Sequence, residues 1–332
     1  MPTGDAPRYR GAIKLWVAAG LALFPAMRIL RAGDPPTAPT YQVLADNPRG
    51  AAAFAVIGDL QQTMKAERLL FRESNPLERQ ALVRSLEAAP PAFLVIVGDL
   101  TNDGGSDAQW GYFDSLTAGL RHAGLPFVPV LGNHDYWFHR QRAMPKLAAR
   151  FDQLGKSSWY ARVYGRLGLV VLDANSGELT RAEWAAQRTW FDSTLQRFEH
   201  DSAIAGVLVF SHQPPFTNGT ATSDDRLLNR DFVPRIEQSG KVMAMISGHT
   251  HSYEHFSEHG KQFIVTGGGG GPRVGLLSGS RRRHEDLVTM PAPRPFNYLW
   301  ITPEPWGVMV EVRGLDKGET AIRSLDHFEI RW

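Results

Sequence analysis

The chain has 332 residues, 43% of them hydrophobic and 21% charged, which is typical of a packed globular protein and excludes a largely disordered one. Its formal net charge of +2 is nearly balanced and no long lysine or arginine run lies along a predicted helix, so we expect no nucleic acid partner. Because there is no cysteine, disulfides, thiolate metal sites and cysteine nucleophiles are excluded, and any metal must be bound through oxygen or imidazole nitrogen.

The first 33 residues have a composition of their own. Arg8, Arg10 and Lys14 precede an uncharged run, residues 15–27, that ends at Arg28. The run is shorter than the roughly 20 apolar residues of a spanning helix and resembles the core of a signal peptide. It predicts a signal sequence or an N-terminal membrane anchor over residues 1–33, with an amphipathic or frayed helix as the alternative. The expected location is therefore extracytoplasmic, either periplasmic or secreted, or membrane-anchored.

Four prolines follow this segment at positions 35, 36, 39 and 48. Proline favours extended and turn conformations and ends regular structure, so residues 34–50 are predicted to be a linker. The folded domain is then expected to cover residues 51–332.

Five apolar runs of strand length each stop at residues that can bind a metal. They cover residues 54–57, 93–97, 127–131, 206–210 and 242–246. Runs without polar alternation are typical of strands covered on both faces, and residues 77–86 and 184–198 predict covering helices. The pattern therefore predicts an α/β protein with layered sheets. Residues 297–301 and 307–313 read as further strands, which we expect to complete the second sheet.

The residues that follow the five runs are the candidate site. They are Asp59 and Gln61, Asp99, Asn133 with His134 and Asp135, His212, and finally His249 with His251. In layered α/β sheets, ligands bind beyond the carboxyl ends of the strands, where the loops converge. The five polar endings are therefore predicted to meet in space.

These motifs, which include Gly-Asn-His-Asp at 132–135 and Gly-His-Thr-His at 248–251, resemble those of the calcineurin-like metallophosphoesterase family. The resemblance covers residues 54–271. It implies an α-β-β-α sandwich of two mixed β-sheets covered by helices, with a dimetal site at the carboxyl ends of the strands.

The resemblance also implies two divalent metal ions with a shared ligand. One ion would be bound by Asp59, Asp99 and His251, and the other by Asp99, Asn133, His212 and His249. Carboxylate and imidazole ligands suit manganese, iron or zinc. Gln61 stands where many members have a histidine ligand, and its amide oxygen could coordinate more weakly and without charge. It is expected to mark a subgroup with altered metal preference, with lost activity as the secondary interpretation.

Part of the sequence also resembles the purple acid phosphatases, in residues 212–215 and 248–255. The tyrosine that colours those enzymes would fall at Asn102, so a colourless protein is expected.

The expected chemistry is attack on phosphorus by a hydroxide that bridges the two metals, since paired cations neutralise phosphate charge and lower the pKa of bound water. His134 is the candidate to protonate the leaving oxygen or orient the phosphate, with Asp135 as its partner. The other histidines and the cluster Arg281 to Arg283 are interpreted as structural or solvated, although the arginines could also lie over the site.

The leading prediction is thus metal-dependent hydrolysis of a phosphomonoester or phosphodiester. The substrate would be a small-molecule or lipid phosphate ester, with membrane association through the N-terminus. Two alternatives stay open: a hydrolase of a lipid-linked pyrophosphate, and a non-catalytic metal-binding protein of the same fold. Loops 70–76 and 218–225 are expected to distinguish the substrate classes.

Overall fold

The computed structural model describes residues 38–47, 49–137 and 139–332. The predicted signal sequence or anchor over residues 1–33 lies outside the described residues. In the described ranges, no helix has both the length and the apolar character needed to cross a membrane.

The described ranges contain twelve strands, nine α-helices and two short 3₁₀ helices. The strands are β1 (Phe54–Ile57), β2 (Leu94–Val97), β3 (Phe127–Val130), β4 (Tyr160–Tyr164), β5 (Leu167–Val171), β6 (Gly206–Phe210), β7 (Val242–Ser247), β8 (Tyr253–Glu258), β9 (Lys261–Thr266), β10 (Phe296–Glu304), β11 (Gly307–Leu315) and β12 (Arg323–Arg331). The helices are α1 (Lys65–Leu69), α2 (Pro76–Ala88), α3 (Asp107–Leu116), α4 (Ala118–His122), α5 (Asn133–Tyr136), α6 (Arg140–Arg150), α7 (Arg181–His200), α8 (Arg226–Asp231) and α9 (Val233–Gln238). The helices predicted over residues 77–86 and 184–198 are confirmed as α2 and α7.

The strands form two mixed six-stranded sheets. The first has the order β12-β11-β10-β1-β2-β3 and the second β4-β5-β6-β7-β9-β8. Strands β1 to β3 run parallel, as do β5, β6, β7 and β9, while the remaining neighbours are antiparallel. Parallel strands end at the same edge of a sheet, so each sheet presents several strand ends together.

Both faces of the central strands are covered. Along β5, Leu167 and Leu169 belong to a core that also contains residues of the first sheet, whereas Val170 packs in a second core with α7, α8 and α9. Helices α2, α3 and α6 contribute to the first core, through side chains such as Leu82 and Phe113. The predicted α-β-β-α sandwich is therefore confirmed.

The final strands lie in a different sheet from the one expected. Strand β10 pairs antiparallel with β1, with Phe54 opposite Ile301, so β10, β11 and β12 extend the first sheet rather than complete the second. The alternation in β11, where Val310 and Val312 are buried between more exposed neighbours, shows that one face is covered. It does not specify which sheet edge the strand joins, and this is why the prediction was wrong.

Residues 38–47, inside the predicted linker, pack as part of the folded unit, which extends from Ala38 to Trp332. Tyr41 and Leu44 are buried, and their backbone N–H groups donate to Arg150 O (2.8 Å) and Phe127 O (2.9 Å). The described part of the domain thus begins at Ala38 and not at residue 51.

If this segment is integral to the core, Tyr41→Ala should lower the free energy of unfolding of the full chain by about 3–5 kcal/mol, the usual cost of truncating a buried aromatic side chain. Tyr41→Phe is the matched control. It loses only the hydroxyl contacts with Thr117, Asp114 and Arg121, so it should cost about 1 kcal/mol. Urea denaturation measures both values, and wild-type stability in Tyr41→Ala would show that the segment is a linker.

Candidate metal centre

The predicted ligands follow strands of both sheets, at the ends where the parallel strands stop. Asp59 and Gln61 follow β1, Asp99 follows β2, Asn133 follows β3, His212 follows β6, and His249 and His251 follow β7. Asp59, Asp99 and His212 are buried and offer ligand atoms within 4.8 Å of one another. The structure thus brings all seven predicted ligands into one cluster.

One half of the cluster is centred on His212. Its Nε2 lies 3.1 Å from Asn133 Oδ1, 3.2 Å from His249 Nδ1 and 3.3 Å from Asp99 Oδ1. Its other nitrogen, Nδ1, lies 2.9 Å from Val97 O and must donate to it. Nε2 can carry at most one hydrogen, yet it faces two oxygens, Asn133 Oδ1 and Asp99 Oδ1. A single N–H cannot make a good hydrogen bond to both.

The charges in this half favour a cation. Burial alone would lower the pKa of His212, but Asp99 and Asp59 outweigh burial and raise it to about 9. Burial and the neighbouring His212 lower the pKa of His249 to about 3. A divalent ion would compete with the His212 proton for the same lone pair, and neutral His249 has a free lone pair to offer. The donor set therefore fits a metal ion.

The other half contains Asp59, His251 and Gln61. His251 Nε2 lies 3.2 Å from Asp59 Oδ1, and His251 Nδ1 lies 2.9 Å from Pro272 O. His212 and His251 thus each direct Nε2 into the cluster while a backbone carbonyl fixes Nδ1, the arrangement that orients histidine ligands in metal sites. Burial raises the pKa of Asp59, as expected for a carboxylate withdrawn from water.

Gln61 points its amide nitrogen into the cluster. Nε2 lies 3.0 Å from Asp99 Oδ2 and 3.2 Å from His251 Nε2, whereas Oε1 is buried with no hydrogen-bond partner among the described residues. Coordination through the amide oxygen requires a half-turn of this amide. Without a cation, that rotation would bring the oxygen against the Asp99 carboxylate.

Asp99 lies between the two halves. Oδ1 faces His212 and accepts from His134 N (3.0 Å), while Oδ2 accepts from Gln61. Burial alone would raise the pKa of Asp99, but His212 and His134 hold it below its ordinary range. Its two oxygens are therefore available, ionised, on opposite sides of the cluster.

Backbone strain is concentrated at this centre. Among the described non-glycine residues, positive φ occurs at Asp59 (63°), Asp99 (52°), His249 (67°), Phe71 (59°) and His259 (48°). Three of these five are predicted metal ligands. Left-handed conformations cost side-chain-bearing residues about 1–2 kcal/mol each and tend to persist where function requires them.

Two glycines leave room for the imidazoles. A Cβ at Gly98, whose φ is +90°, would lie 2.2 Å from His212 Nδ1, and a Cβ at Gly271 would lie 2.5 Å from His251 Cε1. Any side chain at either position would displace a predicted ligand, so both positions must carry glycine.

His134 lies beside Asp99 with its ring fixed on two sides. Nδ1 lies 3.0 Å from Asn102 O, the ring meets Trp137 edge-to-face at 4.0 Å between centroids, and Nε2 lies 3.9 Å from Asp99 Oδ2. The side-chain amide of Asn102 donates instead to Gln62 O.

Asp135 has a different environment from the one predicted. It is fully buried and accepts from the backbone N–H groups of Thr101 (3.0 Å) and Gly132 (2.9 Å), which ties the β2 and β3 loops together. Burial, with a contribution from Asp99, raises its pKa to about 7. The expected pairing with the His134 ring is not formed, because Asn102 O is the partner of that ring.

A polar cavity of about 550 Å³ opens beside His249. Its lining includes Ser176, Gln213 and Arg226, together with residues 220–225. Arg226 is exposed and makes no ion pair with the described residues. The cavity suits a hydrophilic group attached to whatever the metal centre binds.

The cavity loop, residues 217–225, is held by one acidic and one basic side chain for which the sequence predicted no such role. Glu254 accepts from Thr217 Oγ1 and Asn218 N, both at 2.7 Å, and Arg283 donates to Thr217 O (2.6 Å) and Gly219 O (2.7 Å). Arg283 thus neither lies free in solvent nor covers the metal cluster. An acidic residue inside a strand, Glu254 in β8, was the one available signal.

A sandwich of this topology with carboxylates, imidazoles and an amide at its strand ends defines the class of the metallophosphoesterases. The sequence profile of the calcineurin-like phosphoesterases matches residues 52–253, and the chain belongs to that family. Among curated proteins, it is 27% identical over 206 residues to a probable cyclic nucleotide phosphodiesterase of Moraxella catarrhalis (strain BBH18), covering 58% of this chain and 67% of that protein.

Solved structures share the fold at low sequence identity. The GAP50 anchor in the inner membrane complex of Plasmodium is 15% identical with a TM-score of 0.63, over 85% of this chain and 89% of that one. Purple acid phosphatase PPD1 of Lupinus luteus is 15% identical with a TM-score of 0.62, and the match spans 85% of this chain but only 54% of that enzyme. A dimetal phosphatase from Danio rerio is 16% identical with a TM-score of 0.57, over 83% and 98%.

The Glu254 carboxyl should make stability depend on pH. Burial raises its folded pKa from 4.5 to about 7, so the folded state retains a proton that the unfolded state has lost. The free energy of unfolding of the wild type, relative to Glu254→Gln, should therefore fall as the pH rises from 4.5 to about 7, and stay level above that range. Denaturation curves across this range measure the difference, with Glu285→Gln, on the exposed surface, as the control. A difference that is constant with pH, or that grows, would contradict the burial of this carboxyl.

Proposed function

We propose that this chain is a metal-dependent hydrolase of a phosphate ester, either a phosphomonoester or a phosphodiester. The observation that carries the proposal is the buried meeting of Asp59, Asp99 and His212, with His134 beside it. Membership of the phosphoesterase family supports the same chemistry.

The chain's own side chains supply places for two divalent ions. Asp99 would be shared, with Asp59, His251 and Gln61 on one side, and Asn133, His212 and His249 on the other. Manganese, iron and zinc all suit such ligands. When bound, the ions would neutralise the charge of the phosphate and lower the pKa of a coordinated water.

His134 is the proposed proton donor to the leaving oxygen. If Nδ1 donates to Asn102 O, Nε2 is the nitrogen that faces the cluster, and the contact with Trp137 limits rotation of the ring. Asp135 would act indirectly, because it fixes the loops that carry Asp99 and Asn133 and does not contact the reacting groups.

The cavity beside His249 is the proposed site of the leaving group. Its hydroxyl, amide, carboxylate and guanidinium groups favour a polar leaving group. Asp224 is paired with His284 and Asp225 accepts from the backbone N–H groups of α8, so the exposed Arg226 would bind an anionic substituent on the leaving group. The similarity to a probable cyclic nucleotide phosphodiesterase supports including diesters among the candidate substrates.

A metal-binding protein without hydrolytic activity is the second candidate. The orientation of Gln61 favours it, because the amide nitrogen and not the oxygen faces Asp99. The fixed orientation of His134 favours hydrolysis instead, since metal binding alone does not require it.

We also propose an extracytoplasmic or membrane-anchored location. The basic and apolar composition of residues 1–33 supports an extracytoplasmic or membrane-anchored protein, and in that setting a lipid-linked pyrophosphate would be a candidate substrate.

His134→Asn should reduce turnover of a chromogenic aryl phosphate or its diester by about 10²–10⁴-fold, the usual contribution of a positioned acid, while metal content stays near wild type. Metal analysis and steady-state kinetics on the same samples measure both quantities. The ester that the wild type hydrolyses faster shows whether the protein is a monoesterase or a diesterase.

His139→Asn is the matched control for this variant, because His139 is exposed and lies a few residues further along the chain. It should retain turnover. Unchanged turnover in His134→Asn would remove His134 from the mechanism. No turnover in folded, metal-loaded wild type with either ester would favour the binding protein.

A further inference from the structure

A segment at the rim of the metal centre, residues 64–73, contains the short helix α1 and is anchored at its base; we call it the rim loop. Thr63 Oγ1 donates to Glu73 O (2.7 Å), and the Glu73 carboxylate accepts from Arg273 (2.8 and 3.0 Å). Arg72 donates to Pro272 O (3.3 Å), the same carbonyl that lies 2.9 Å from His251 Nδ1. This rim loop is therefore connected, through one carbonyl, to a predicted metal ligand.

The tip of the rim loop is apolar and almost free of protein contacts. Leu69 is 79% exposed, Leu70 76% and Phe71 97%, and they are the three most exposed large hydrophobic residues of the described ranges. Phe71 also has a φ of 59°, which is unfavourable for an aromatic residue. Consecutive exposed apolar side chains of this kind indicate a surface that becomes covered by a partner.

The flank of the tip is basic. Lys65 and Arg68 are exposed and make no ion pair or side-chain hydrogen bond with described residues, and they line a cavity of about 400 Å³ with Asn102, whose carbonyl faces His134. Glu73 is paired with Arg273, whereas Glu67 accepts only from the backbone N–H of Met64 (2.8 Å) and keeps its negative charge. Three basic residues (65, 68 and 72) against two acidic ones (67 and 73) leave the rim loop with a net charge of +1.

We propose that the rim loop docks this protein on an anionic lipid bilayer, with Leu69, Leu70 and Phe71 inserted among the headgroups. Lys65 and Arg68 would then lie level with the lipid phosphates. A projecting apolar tip with cations beside it complements an anionic membrane surface, whereas a protein groove would need no such charge.

The N-terminal segment gives this proposal independent support from the sequence. Arg8, Arg10 and Lys14 beside an apolar run predict a second membrane-associating element. Stable attachment to a bilayer commonly takes two such determinants, because one is usually weak and reversible. Docking through the rim loop would present the metal centre to phosphate esters carried by the membrane. That consequence rests on the proposed hydrolysis, whereas the docking itself does not.

The absence of cysteine from the chain allows a site-specific test in the full-length protein. Leu70→Cys is labelled with an environment-sensitive nitrobenzoxadiazole probe and mixed with vesicles of phosphatidylcholine, with or without phosphatidylglycerol. The emission should shift to the blue and rise several-fold with the anionic vesicles, and change little with phosphatidylcholine alone. Added salt should reduce the response, because it screens the charges.

Leu287 is another exposed leucine (52% exposed) that lies outside the rim loop. Labelled Leu287→Cys is therefore the matched control, and its emission should not change with either kind of vesicle. Lys65→Glu combined with Arg68→Glu should weaken the response at position 70. No response there while the protein sediments with anionic vesicles would assign binding to another segment and overturn the proposal. An equal response with both vesicle types would overturn it as well. Because turnover is not measured, failure of the proposed hydrolysis would not change either result.

Discussion

Asp99 and His212 meet at 3.3 Å, each from the end of a strand in a different sheet, and both side chains are withdrawn from water. A buried carboxylate is unfavourable unless positive charge and hydrogen bonds compensate for the lost solvation. The parallel strands β2 and β6 stop at this point, Gly98 leaves space for the imidazole, and Asp99 adopts a left-handed conformation to reach it. Cation binding would explain both the positive φ angles of the predicted ligands and the burial of two carboxylates side by side.

Some residues around this pair hold the predicted ligands in position, and others line the surfaces where a substrate or partner would bind. Asp135 joins the loops beneath the ligands, and Asn102 O fixes the His134 ring beside them. The cavity opens at His249 on one side, and the rim loop meets the His251 end of the cluster on the other. The proposed chemistry thus depends on strand ends that the fold fixes, whereas the proposed substrate and membrane contacts depend on two loops.

The sequence predicts strands that are buried on both faces. It does not predict which of several distant segments a strand or side chain will contact. Apolar runs ending in metal-binding residues predicted the central strands, because both faces of such strands are covered. The run at β5 has the same appearance and was missed. Its polar ending, Asp173 and Asn175, binds Tyr136 and Leu131 O and not the cluster, so the pattern alone does not distinguish ligands from structural residues. The sheet edge chosen by β10, the packing of Tyr41 and the role of Arg283 depend on contacts distant in the chain, which no local pattern encodes.

The central claim is that seven side chains converge to hold two divalent ions with Asp99 shared between them. Elemental analysis of the purified full-length chain, reconstituted with manganese, iron or zinc and freed of excess metal, tests it directly. The account predicts about two ions per wild-type chain and a marked loss from both positions in Asp99→Ala, because the variant lacks the shared ligand. Folded wild-type protein that retains none of these metals, or an Asp99→Ala variant that retains as much metal as the wild type, would contradict it.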